Sequence, residues 1–84
     1  MEPKELHIVI VSPEKTIFDG KVESVTVPGS LGLFTVLPQH APIISSLRNG
    51  NIEYVVQKEK QTYEIKGGFI EVNNNEVSIL SLIH

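Results

Sequence analysis

The 84-residue sequence contains no cysteine and no tryptophan, and it has three histidines, at positions 7, 40 and 84. Without cysteine the chain can form neither a disulfide nor a thiolate metal site. No apolar run approaches the ~20 residues that a membrane-spanning helix needs. We therefore expect a small protein with no metal, no cofactor and no segment inserted directly into a membrane.

Basic residues are scarce as well. Seven Lys and Arg stand against ten Asp and Glu, which gives a formal net charge of −3. Nucleic-acid binders need a basic face to neutralise phosphates, and polybasic membrane-surface segments need clustered cations. The content of 40% hydrophobic and 20% charged residues is that of a globular chain. The charge balance argues against both of these partners.

Apolar residues recur with a period of two along most of the sequence, which is the pattern of β-strands. The segments that show it best are 6–11, 21–27, 51–57, 62–66, 69–72 and 76–82. Turn-forming residues separate these segments every 8–12 residues or so, as in antiparallel sandwiches and barrels. The sequence predicts an all-β fold, a flattened antiparallel β-sandwich or barrel of about 8–10 short strands. We expect a single domain over residues 1–84, with an ordered core over about residues 5–82.

Several turns are predicted from residue type. Gly20, after Asp19, is predicted to lie in a hairpin turn, and Gly67 and Gly68 at a bulge or a close approach of two backbones. The charged segment Lys58–Gln61 is predicted to be the tip of a hairpin that spans residues 51–66. Asn73-Asn74-Asn75 is predicted to be a further turn.

Motifs for catalysis are missing. Ser45, Ser46, His40 and Asp19 include the residue types of a hydrolase triad, but no Gly-x-Ser-x-Gly elbow frames either serine. The segment 29–32 lacks the Gly-Lys-Ser/Thr ending of a phosphate-binding loop. We predict no catalytic residue and no enzyme activity, with a small hydrolase as a weaker alternative.

Two segments are candidates for a protein-binding rim. In Pro38–Pro42, each proline restricts the residue before it to an extended conformation, so the segment is stiff. The second segment carries Leu31, Leu33 and Phe34 around a turn. The residues alone leave two alternatives open: these apolar side chains bind a partner, or they close one end of the core. We expect Leu31, Leu33 and His40 to face partners and Phe34 to belong to the core.

Five motifs along the chain resemble one family in their order and spacing. They are Val11–Glu14, Phe18–Val22, Val27–Gly29, Gly32–Pro42, and Gly67–Val72 with Asn75–Val77. Together they resemble the epsilon subunit of F-type ATP synthases, which is called delta in mitochondria. Five motifs in order over nearly the whole chain are far more specific than any one of them.

The resemblance implies a flattened β-sandwich that performs no bond chemistry. It implies a central-stalk rotor subunit that docks the gamma subunit onto the polar loops of the membrane c-ring. In that position it helps to couple proton- or sodium-driven rotation to ATP synthesis. The subunit would be monomeric when isolated and peripheral, at the cytoplasmic face of the bacterial inner membrane. The alternative is a free-standing β-sandwich adaptor that uses the same rim on another partner.

The resemblance also implies two contact surfaces. The ring-facing rim would comprise Gly29, Ser30, Leu31, Gly32, Leu33, Gln39, His40, Ala41 and Pro42. The gamma-facing residues would be Ser12, His40, Val77 and Ile79.

Three departures from the family pattern affect these expectations. Thr35 stands where most relatives have glycine, so we expect a negative φ there. Leu33 stands where several relatives have a polar or acidic residue, so no charge pairing with the ring is expected at that point. The sequence ends at His84, before the helical hairpin into which typical relatives continue, which leaves two alternatives open, a naturally short subunit, which we favour, or a shortened form of a longer one.

Overall fold

The computed structural model describes residues 5–82. Residues 1–4, 83 and 84, which complete the predicted domain, lie outside the described range. Nine strands and no helix occur in residues 5–82. The strands are β1 Leu6–Val11, β2 Thr16–Val22, β3 Ser24–Gly29, β4 Gly32–Val36, β5 Ile43–Leu47, β6 Gly50–Val56, β7 Glu59–Ile65, β8 Gly68–Asn73 and β9 Glu76–Ser81. The prediction of an all-β fold is confirmed.

The nine strands form one curled sheet. Its strand order is β2-β1-β9-β8-β5-β3-β6-β7. Strand β4 lies outside this path and pairs with β3. The curl brings two layers face to face, which we call the first layer (β2, β1, β9, β8, β5) and the second layer (β4, β3, β6, β7). Phe18 of β2 meets Tyr54 of β6 with ring centroids 4.7 Å apart, which closes the open side. Strands β1 and β9 run parallel, whereas the other neighbours are antiparallel.

The core lies between the two layers and is apolar. Alternate residues of each strand point inward, as the period of two requires. In β1, Leu6, Ile8 and Ile10 have no exposed surface. The other core residues are Val22, Val25, Val27, Val36, Leu47, Ile52, Tyr54, Ile65, Ile70, Val72, Val77 and Ile79. Because each strand has one set of side chains in the core, the alternate set forms the outer surfaces of the layers.

Two hairpins have two-residue turns with positive φ at both positions. Asn74 and Asn75 have φ of 53° and 63°, and Gln57 and Lys58 have φ of 51° and 68°. These values are those of the turns that match the twist of paired strands. The hairpin predicted over residues 51–66 and the asparagine turn are therefore present. The tip predicted at Lys58–Gln61 is wrong by about two residues, because the tight turn lets β7 begin at Glu59.

Gly20 does not lie in a turn, and that prediction is wrong. It lies inside β2, opposite Ile8 of β1. A Cβ at this position would approach the Phe18 ring to 3.2 Å, so the aromatic ring covers the glycine on an edge strand. The chain direction changes instead at Glu23, which divides the predicted strand 21–27 between β2 and β3.

Gly67 and Gly68 carry the chain from the second layer to the first. Their φ angles are 150° and 155°, in a region that residues with a Cβ rarely adopt. A Cβ on Gly68 would overlap the carbonyl oxygen of Leu80. The Leu82 N–H donates to the Gly67 carbonyl at 2.9 Å. The predicted close approach of two backbones is therefore present at Gly68.

Gly68→Ala should destabilise the fold far more than Gly32→Ala. Both glycines have positive φ, but a Cβ at Gly32 would meet nothing within 4 Å. We expect about 1–2 kcal/mol of backbone strain at Gly32. At Gly68 the added overlap with the backbone should bring the loss above about 4 kcal/mol. Urea denaturation of both variants measures the two losses, and equal values would contradict this account of Gly68.

Candidate protein-binding surfaces

The outward side of the first layer, which we call the outer face, carries an exposed apolar patch. Its exposed hydrophobic residues are Ile44 on β5, Phe69 on β8 and Leu80 on β9, which are 76%, 53% and 38% exposed. With Val9 and Val11 of β1 they line a shallow groove of 430 Å³. Contiguous apolar patches of this kind are uncommon on soluble monomers and mark contact sites.

The strand register arranges the outer face in three cross-strand rows. The first row contains Ser46, Phe69, Leu80, Val11 and Thr16, and the second contains Ile44, Glu71, Ser78, Val9 and Asp19. The third row contains Asn73, Glu76, His7 and Lys21. The face therefore changes from apolar to charged along the strand direction.

His7 is the centre of the charged row. Its Nε2 lies 2.7 Å from Asp19 Oδ1 on β2, and its Nδ1 lies 3.1 Å from Glu76 Oε1 on β9. The hydrogen bond to Asp19, followed by the one to Glu76, raises the pKa of His7 above its ordinary value. Protonated His7 donates to both carboxylates and so connects β1 with both of its neighbours.

Three of the four predicted gamma-facing side chains are buried, and the fourth, His40, is half-buried. Val77 and Ile79 are each 1% exposed and belong to the core, so the prediction that they contact a partner is wrong. Their strand exposes Ser78 and Leu80 instead. Ser12 is 7% exposed, and its Oγ accepts hydrogen bonds from the backbone N–H groups of residues 14 and 15. The Ser12 side chain therefore stabilises the β1–β2 turn.

The β3–β4 hairpin ends in an exposed tip, residues 29–33. Leu31 is fully exposed and Leu33 is 73% exposed, which excludes the core-plug alternative for both side chains. Phe34 is half-buried against the core. Gly29 is buried because its Cα lies against the Phe34 ring, where a Cβ would approach the ring to 2.7 Å.

The tip is held firmly against the end of β5. The Ser30 N–H donates to the Ser46 carbonyl at 3.1 Å, and the hydroxyls of these two serines form a hydrogen bond. The Arg48 N–H donates to the Pro28 carbonyl at 2.9 Å. Thr35 has no positive φ, as predicted, and its hydroxyl bonds to that of Thr26 across the hairpin at 2.8 Å. The leucines are therefore displayed on a rigid support.

The segment 39–42 lies at the opposite end of strands β4 and β5 from the tip. Strand β4 carries the chain away from the tip and β5 carries it back, and each five-residue strand spans about 15 Å. The Gln39 N–H donates to Asn75 Oδ1 at 2.6 Å, in the β8–β9 turn. His40 is half-buried, and its Nδ1 lies 2.7 Å from the Ala41 carbonyl oxygen. Residues 29–33 and Gln39, His40, Ala41 and Pro42 therefore do not form one continuous surface, and their contact with the c-ring stays a prediction.

The apolar residues of the outer face were not among the predicted contact residues. Two signals for them exist in the sequence. Strand β1 is apolar on both of its sides, and Phe69 and Leu80 occupy positions that alternate with core residues of β8 and β9. Both signals indicate a second apolar surface outside the core.

Clusters that would hold a metal ion are not found in the described range: residues 5–82 contain no group of three or more suitable side chains. The same residues include no helix that could cross a membrane.

Comparison with known proteins identifies the family. Residues 5–82 match the family model described as "ATP synthase, Delta/Epsilon chain, beta-sandwich domain". The chain belongs to the delta/epsilon chain family of ATP synthases. The resemblance found in the sequence motifs is thereby confirmed, as is the sandwich fold.

Relatives in bacteria agree with this assignment. The chain is 43% identical over 77 residues to the ATP synthase epsilon chain of Leptospira borgpetersenii. The alignment covers 92% of this chain and 61% of that protein. It is 38% identical over 79 residues to the ATP synthase epsilon chain of Chlorobaculum tepidum, in an alignment that covers 93% of this chain and 90% of that protein. The chain thus spans less than two thirds of the first relative and nearly all of the second.

Solved structures share the fold. A chain of the Euglena gracilis mitochondrial ATP synthase, in a structure of OSCP, F1 and the c-ring, superposes with a TM-score of 0.90 at 25% identity. The match covers 96% of this chain and 52% of that one. A chain of the Tetrahymena thermophila central stalk and c-ring gives a TM-score of 0.77 at 12% identity, which shows the fold alone. It covers 99% of this chain and 67% of that one.

The stability of the fold should fall as the pH rises through the raised pKa of His7. In the unfolded chain His7 titrates near 6.5, and in the folded chain it titrates higher. The stabilisation is therefore fully present below pH 6.5 and is lost as the pH rises through the folded pKa. Urea denaturation between pH 5 and 9 should show this loss in the native chain and not in His7→Gln. The matched control, His40→Gln, should keep this pH-dependent loss. An unchanged pH profile in His7→Gln would contradict the proposed role of the hydrogen bonds from His7 to Asp19 and Glu76.

Substitutions at Leu33 and Phe34 should differ in how much they destabilise the fold. Leu33→Asp removes no core contact and should cost less than about 1 kcal/mol. Phe34→Ala removes a half-buried ring and should cost about 2 kcal/mol, less than the ~3–5 kcal/mol of a fully buried one. Urea denaturation of the free chain measures both. A larger loss in Leu33→Asp than in Phe34→Ala would show that the tip is part of the core.

Proposed function

We propose that the chain is a non-catalytic rotor subunit of an F-type ATP synthase, which docks the gamma subunit onto the c-ring. Through this position it helps to couple ion-driven rotation to ATP synthesis. One structural observation carries the proposal: an apolar outer face adjoins a rigid tip with two exposed leucines. Membership of the delta/epsilon family supports the same function.

The gamma subunit binds the outer face in this proposal. Ile44, Phe69 and Leu80 are exposed apolar side chains on three adjacent strands, and covering them removes unfavourable contact with water. These residues replace Val77 and Ile79, whose side chains are buried, as the contacts of this layer. Aromatic residues such as Phe69 are favoured at the centres of interfaces.

The c-ring binds the tip. Leu31 and Leu33 project from a hairpin that hydrogen bonds hold to β5, so binding costs little conformational freedom. Ser46, which anchors the tip, lies opposite Phe69 in the first row of the outer face. The two proposed contacts are therefore adjacent, and one small subunit can touch gamma and the ring together.

The proposal includes the place of the subunit in the cell. A subunit held between gamma and the ring is peripheral to the membrane and lies, in a bacterium, at the cytoplasmic face of the inner membrane. The bacterial relatives named as ATP synthase epsilon chains support this location. In isolation the subunit is a monomer.

Separate substitutions on the two surfaces should disrupt separate contacts. Phe69→Asp places a charge on the outer face and should weaken binding to gamma by at least about 100-fold, because that charge is desolvated in the complex. Leu33→Asp should leave gamma binding unchanged and reduce ion-driven ATP synthesis in reconstituted vesicles. Thr62→Asp, at an exposed position of β7 in the second layer, is the matched control and should change neither.

The measurements are binding to purified gamma and ATP synthesis by the reassembled complex. If Phe69→Asp bound gamma as tightly as the native chain, the outer face would not be the gamma contact. If the native chain bound neither gamma nor the ring, the alternative of a free-standing adaptor would replace this proposal.

A further inference from the structure

Glu71 lies in the middle of the outer face. In the second row it stands between Ile44 of β5 and Ser78 of β9, and Val9 follows Ser78. Phe69 lies two residues before it on the same side of β8. Glu71 is therefore a carboxylate between the apolar side chains of Ile44 and Phe69 on one side and the polar third row, which begins with Asn73, on the other.

Within residues 5–82, Glu71 forms no ion pair. In the described part of the chain, ion pairs are formed by His7 with Asp19 and Glu76 and by Lys60 with Glu53, and none includes Glu71. The Lys21 side chain belongs to the third row, on β2, three strands away from β8. Three strand spacings are about 14 Å, beyond the reach of an ion pair.

An exposed carboxylate is stable in water, but covering the outer face changes its surroundings. A partner that packs on Phe69, Ile44 and Leu80 removes water from the groove that Glu71 also lines. An unpaired carboxylate in such a site loses its hydration without compensation. A positive charge on the partner at this point would compensate that loss most strongly, because hydrogen bonds to charged groups are stronger than neutral ones.

We propose that the partner surface seated on the outer face carries a lysine or arginine that pairs with Glu71 inside an otherwise apolar contact. The inference rests on the proposed function, in which that partner is the gamma subunit. The apolar side chains supply area, and the ion pair fixes the register of the contact. A shift by one row would place the partner's cation beside the apolar first row or on the His7 triad, so the pair also selects the correct position.

The test compares charge and apolar variants of the full chain in binding to the gamma subunit of the same complex, at low and high salt. Glu71→Gln should weaken binding about tenfold or more at low salt and reduce the dependence of affinity on salt. Phe69→Ala should weaken binding as well, but with the salt dependence of the native chain. Glu64→Gln, an exposed glutamate of β7 in the second layer, is the matched control and should change neither quantity.

A charge exchange gives a second readout. Glu71→Lys should bind more weakly than Glu71→Gln, and one Lys→Glu or Arg→Glu substitution on gamma should restore its binding. If Glu71→Gln binds gamma with native or higher affinity while Phe69→Ala binds gamma more weakly, the ion pair is overturned and the proposed function stands. Native affinity in both variants would overturn the outer face as the gamma contact, and with it the ion pair.

Discussion

Burial of the inward side chains between the two layers is the interaction on which the rest of the structure depends. A chain of this size buries only about 60–65% of its unfolded surface, so nearly every inward position must be filled by an apolar residue. Leu6, Ile8 and Ile10 are completely buried for this reason. The outward positions are then free to differ between the layers, and the outer face of the first layer carries an apolar patch beside a charged row.

Much of the fold could be predicted from the sequence, because apolar residues recur along it with the period of two that β-strands require. Most strands, the asparagine turn and the close approach at Gly68 follow from residue type and local conformation, but residues 16–20, β4 and β5 were not among the predicted strand segments. Gly20 could not be placed, since an aromatic ring two residues away covers it and only pairing with β1 reveals this. In the same way, whether Val77 points inward depends on which face of β9 meets the core.

The candidate surfaces were harder to predict than the strands. The tip and residues 39–42 are close in sequence, but a strand that returns along its neighbour places them at opposite ends. The outer face combines side chains from four strands that are distant in sequence. Its position follows from sheet order, including the parallel pairing of β1 with β9, which no local pattern indicates. The proposed function thus depends on which outward side chains the sheet order brings together on one face.

The most direct test of the central claim maps which partner touches which surface in the assembled complex. The chain contains no cysteine, so a single cysteine introduced at Ile44, Leu31 or Thr62 carries a photo-crosslinker at one known point. The account predicts crosslinks from Ile44 to gamma, from Leu31 to the ring subunit and from Thr62 to neither. Crosslinks to gamma from Thr62 and none from Ile44 would contradict it.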